Sequence, residues 1–158
     1  MKALLFLTLS LSLLAGCQET PKNFLGRSGT IVMRAPTKIE AWRIHGGAGE
    51  AQTPSNPKQL DNALAQQLGD ILLDPDTYDF NSAKGCMFEP VVGFRVWHDK
   101  RSVEVILCFH CNELKLISPD PVSKRYPTRI QGFDKARPAM VKLVKQAFPD
   151  DREIQDLK

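Results

Sequence analysis

Two runs of alternating apolar residues face each other across Asp99-Lys100. Val92, Phe94 and Val96 precede the pair, and Val103, Val105 and Leu107 follow it. Successive side chains of a strand point to opposite faces, so this pattern predicts a β-hairpin over 91–98 and 102–109. Pairing Phe94 with Val105, Val92 with Leu107 and Val96 with Val103 makes one face wholly apolar. The same register sets Arg95 opposite Glu104 on the other face, an opposite-charge pair. A slip by one residue would mix the faces, so the pattern specifies the register.

The rest of the chain is read around this ribbon. Residues 30–33 and 38–44 look like strand, bent at Ala35-Pro36, and 114–117 can add another before Ser118-Pro119. A helix is expected over about 57–73. Asn56 is its candidate N-cap, Pro57 suits its first position, and Leu60, Leu64, Leu68, Ile71 and Leu72 recur at helical spacing. Asp74-Pro75 stops it. A second helix is expected over about 135–147, with Ala136, Met140, Leu143 and Ala147 as its apolar stripe and Pro138 in its first turn. The expected fold class is α+β: an antiparallel sheet of three to five strands, centred on the hairpin and packed against these two helices. Alternating strand faces argue against a doubly wound parallel sheet.

The N-terminus reads as an address. Met1-Lys2 leads an apolar run from Ala3 to Leu14, followed by Ala15-Gly16-Cys17. One positive charge, a short apolar core and small residues form a secretory signal, and the run falls short of the roughly 20 residues of a spanning helix. Leu14-Ala15-Gly16-Cys17 resembles the bacterial lipobox, which implies cleavage before Cys17 and acylation of that cysteine. Two or more acyl chains hold a protein stably on a bilayer. Gln18 after the cysteine resembles an outer-membrane sorting signal in enteric-type envelopes. The expected division is a signal peptide over 1–16, lipidated Cys17 with a flexible tether through 29, and one globular domain over 30–158. Lys plus Arg number 21 against 18 Asp plus Glu, a net charge of +3. That small excess, without a basic stripe, argues against a nucleic-acid partner.

Cys86, Cys108 and Cys111 remain for other work, the last two as Cys-Phe-His-Cys. One reading is a structural disulfide from Cys86 to either partner. Export favours it, and closing that loop contributes about 3 kcal/mol. The third cysteine is then a buried thiol. A second reading is thiol redox chemistry, since His110 just before Cys111 favours a thiolate. A third is a zinc set of Cys86, Cys108, Cys111 and either His98 or His110. His45 and His98 fall at strand ends, as surface or turn residues. Lys124, Arg125 and Arg129 form a small basic cluster, solvated or touching anionic headgroups. The sequence contains no G-x-S-x-G, H-E-x-x-H, P-loop or dinucleotide fingerprint, so no catalytic residue and no cofactor is expected.

Asp74-Pro75-x-x-Tyr78-Asp79-Phe80, Cys86-x-Phe88-x-Pro90, Gly93-Phe94-Arg95 and Leu107-Cys108-Phe109-x-Cys111 together resemble a family of uncharacterised bacterial secreted proteins and lipoproteins. Phe133-Asp134-x-Ala136-Arg137-Pro138 through Ala147-Phe148-Pro149-Asp150 belongs to the same likeness. It covers most of 60–157 and implies no activity. It also implies that the position of His110 is often not histidine, which counts against a metal or redox role for that side chain. The expectation is an exported, membrane-anchored, non-enzymatic module of the cell envelope, binding an envelope partner. The rival is a thiol-redox or thiol-metal protein using Cys86, Cys108 and Cys111.

Overall fold

The hairpin lies at the centre of a six-stranded antiparallel sheet. The structure is a computed structural model, and it describes residues 20–45, 57–80, 84–120 and 129–158. The strands are β1 (Lys38–Arg43), β2 (Lys58–Gln59), β3 (Val92–His98), β4 (Arg101–Cys108), β5 (Glu113–Ile117) and β6 (Ile130–Gly132), in the order β2-β1-β3-β4-β5-β6. The helices are α1 (Pro21–Arg34), α2 (Asn62–Leu73), α3 (Arg137–Ala147) and α4 (Arg152–Gln155), with a 3-10 turn over Pro75–Thr77.

The hairpin register is the expected one. Val92 faces Leu107, Phe94 faces Val105, Arg95 faces Glu104 and Val96 faces Val103. Ile39 and Ala41 extend the apolar face through Val96 and Phe94, and Leu114 and Leu116 extend it through Leu107 and Val105. Phe24, Leu25, Val32 and Met33 of α1, Leu68 and Leu72 of α2, and Met140, Leu143 and Val144 of α3 complete this core.

The α+β class and the antiparallel sheet stand, with several corrections. The sheet has six strands rather than three to five, because β2 and β6 are too short to show a period. The helices exceed the expected two. Residues 30–33, read as strand, lie in α1, and so do residues 21–29, read as tether. Pro21 occupies the helix's first turn, where its missing N–H is no loss. Gly26 breaks the helix at φ +72°, a left-handed conformation that glycine adopts without strain. A Cβ there would lie 2.7 Å from Asp120 Oδ2. That carboxylate accepts from Ser28 N at 2.6 Å and Ser28 Oγ at 2.7 Å. It therefore caps the second half of α1 where the helix dipole is positive.

The helix expected over 57–73 starts later, at Asn62. Lys58 and Gln59 pair with β1 instead, and Asp61 Oδ1 accepts from Ala63 N at 2.7 Å as the true cap. The candidate cap Asn56 lies outside the described residues. The last helix begins at Arg137 rather than 135 and ends, as expected, at Ala147.

The opposite face of the sheet carries Lys38, Glu40 and Trp42 from β1, Gly93, Arg95 and Trp97 from β3, and Ser102, Glu104, Ile106 and Cys108 from β4. Arg95 reaches Glu104 Oε1 through both Nε and Nη2, at 2.9 and 2.5 Å. Lys38 Nζ sits 4.6 Å from the centre of the Trp97 ring, a cation–π contact. Trp42 lies flat against Gly93, where a Cβ would stand 2.3 Å from the indole.

Candidate functional site

The chemistry-bearing side chains collect at the end of β4. Glu113 is the cross-strand partner of Cys108, so the loop joining β4 to β5 is the four residues 109–112. Asn112 holds φ +52° there, a conformation that Asn tolerates better than most residues. Arg137 Nη1 donates to Phe109 O at 2.7 Å and also to Asn112 Oδ1. Its guanidinium lies 5.7 Å from the centre of the Phe109 ring. One arginine at the start of α3 thus fixes the backbone of the cysteine turn.

The segment leading into β3 returns to this turn. Cys86 and Cys111 form a disulfide with Cα atoms 6.0 Å apart and a sequence separation of 25. Lys84 ties the same segment down, donating to Cys111 O at 2.7 Å and pairing with Asp134. Asn112 Nδ2 donates to Asp134 Oδ1 at 2.9 Å. Hydrogen bonds from Lys84 and Asn112 hold the Asp134 carboxyl below the usual carboxylate range.

Cys108 is the free thiol. It is fully buried, and its Sγ accepts a hydrogen bond from Cys111 N at 3.5 Å. Glu113, beside it, is 9% exposed. Desolvation pushes the Glu113 carboxyl up; the Lys84 ammonium pulls it back in part, and Asp134 raises it further.

The disulfide reading is therefore the arrangement present, with Cys111 as the partner of Cys86. The zinc reading fails on this geometry. Two of its three sulfurs are bonded to each other, and among the described residues no group of three or more His, Cys, Asp or Glu is placed to hold a metal ion. His98 is held by its own neighbourhood, Nδ1 lying 2.6 Å from Ala35 O. His45 and His110 are exposed. Arg129 leaves the expected basic cluster: it is buried and donates through Nη2 to Asp120 O at 2.8 Å. Lys124, Arg125 and Cys17 lie outside the described residues. No described helix is long and apolar enough to cross a membrane.

Sequence reasoning missed Lys84, Glu113, Asp134 and Arg137. Charged residues ordinarily read as solvated surface. Only Glu113 left a trace: a four-residue loop after Cys108 places it opposite that cysteine. The recess of about 310 Å³ lined by Lys58, Phe148, Pro149, Asp150 and Asp151 opens widely to solvent at the far edge of the sheet. Compared with protein-family models, curated proteins and solved structures, the chain matches none.

Proposed function

We propose that the protein is an exported lipoprotein, acylated at Cys17, that works at a membrane surface by binding an envelope partner rather than by catalysis. The observation that carries this reading is the Cys86–Cys111 bridge. Disulfides persist in oxidising extracytoplasmic compartments and are rare in the cytosol. The lipobox-like Leu14-Ala15-Gly16-Cys17 supplies the route to such a compartment, and two acyl chains supply stable attachment.

The packing of α1 sharpens the geometry of attachment. Only Gln18 and Glu19 separate Cys17 from Thr20, a reach of at most about 10 Å. An anchor there holds the domain close against the headgroups, with the start of α1 nearest the bilayer. The sheet face bearing Lys38, Glu40, Arg95, Trp97 and Glu104 is then the surface offered to a partner. Its charges and indoles suit a polar protein surface.

Fractionation of cells expressing the full chain tests the reading. The native protein is expected in the membrane fraction, and Cys17→Ser in the soluble extracytoplasmic fraction or retained as uncleaved precursor. Recovery of the native chain from cytosol with a free N-terminal Met1 would overturn it.

A further inference from the structure

Cys108 is a thiol shut away from solvent, and the chemistry open to such a group is intramolecular. Its nearest reactive neighbour is the disulfide. Cys111 N donates to Cys108 Sγ at 3.5 Å, which sets that sulfur against the turn carrying Cys111. The two cysteines are three residues apart across a tight loop. Cα atoms at that spacing in a turn lie within about 7 Å, against a bridging range of about 4.4–6.8 Å. Arg137 and Lys84 hold this turn from both sides.

A second side chain faces the same thiol. Glu113 is the cross-strand partner of Cys108 and lies on the same sheet face, a relation that places Cβ atoms about 5 Å apart. The residue as a whole is 9% exposed. The charged groups around it are Lys84 from the segment before β3, Asp134 after β6, and Lys115 two residues along its own strand. Its register neighbours are Cys108 and Ile106 on β4 and Gly132 and Ile130 on β6. A carboxylate paired across the strands with a buried thiol is a proton acceptor in position.

We propose that Cys108 is the third thiol of an internal disulfide relay, with Glu113 taking its proton. The Cys108 thiol gives its proton to the Glu113 carboxylate, and the resulting thiolate attacks Cys111 Sγ. A Cys108–Cys111 bond forms and the Cys86–Cys111 bond breaks, its electron pair leaving on Cys86 as thiolate. Glu113 then releases its proton, to Cys86 or to solvent. The exchange is neutral in electrons and needs no outside oxidant. Its product carries a free thiolate at Cys86, on the half-exposed segment before β3, where an external disulfide can meet it. The relay stands on the oxidised domain alone and does not require the anchor at Cys17.

The test is native-state alkylation of the oxidised, folded protein with iodoacetamide, followed by non-reduced peptide mapping. The expected product carries the label on Cys86 and a Cys108–Cys111 bridge, and forms faster than global unfolding. Glu113→Gln is expected to slow this labelling on the order of 10²-fold and to change its pH profile, which a purely structural role would not do. Cys86→Ser, expressed in the same compartment, is expected to hold no titratable thiol after denaturation, because Cys108 and Cys111 are bridged. Label on Cys108 alone, at the rate of global unfolding, would overturn the relay. So would two titratable thiols in Cys86→Ser, and the alkylation result in the native chain decides the matter if that variant does not fold.

Discussion

Glu113 shows how a single side chain can escape a sequence reading and still shape the site. It alternates with Leu114 and Leu116 as an outward residue should, and nothing in its neighbours says that its face is enclosed. The disulfide and Lys84 tie the segment before β3 to the end of β4, and Lys84 is thereby the charge that acts on Glu113. The pairing of Cys86 was half legible for the same reason. Strand parity set Cys108 on one face, but only the turn conformation decides that Cys111 faces the incoming segment. Because its carboxyl is raised by desolvation, Glu113 binds its proton more tightly folded than unfolded. Its contribution to stability is therefore present below the unfolded Glu value, about 4.3, and is lost as pH rises through the higher folded value. Glu113→Gln is expected to raise the melting temperature at pH 8 and to leave it nearly unchanged at pH 4, as thermal melts across that range would show. Asp134 behaves in the opposite sense. Its lowered carboxyl adds stability above the ordinary Asp value, and that stability fades as pH falls through the folded one.

At the scale of elements, the β-hairpin was readable down to the register because two apolar triplets and one ion pair agree on it. The N-terminal helix was not. Pro21, Gly26 and Gly29 punctuate that stretch as a loop would, yet each has a different role in α1. Pro21 starts the helix, Gly26 kinks it, and Gly29 is buried where a Cβ would stand 3.2 Å from Leu25 Cβ. The buried positions 21, 24, 25, 28, 29, 32 and 33 follow one helical period, but Ser28 and Gly29 fill its middle turn, so the apolar stripe of Phe24, Leu25, Val32 and Met33 is broken in the sequence. Gly26→Ala is expected to cost about 1–3 kcal/mol from the backbone alone, because φ +72° with ψ −174° is open essentially to glycine, and more from the clash with Asp120. Asp120→Ala is expected to cost about 1 kcal/mol through loss of the cap. Because both changes act on one contact, their effects in urea melts should be less than additive.

For the whole molecule, the sheet divides the chain into a closed half and an open one. The buried apolar residues of α1, α2 and α3 share one core with Phe94, Val105 and Leu116, while Arg95, Trp97 and Glu104 stay half-exposed on the other face. This amphipathic division was legible as a pattern of alternation; the number of strands was not, because β2 and β6 are two and three residues long. The proposed attachment at Cys17 and the Cys86–Cys111 bridge belong to one account, since export would produce both. One measurement addresses them together: the intact mass of the protein extracted from membranes without reductant, after alkylation in denaturant. The account predicts a chain beginning at Cys17, heavier than residues 17–158 by its acyl groups and lighter by the two hydrogens of one disulfide, with one cysteine alkylated. A chain beginning at Met1 with four alkylated cysteines would contradict it.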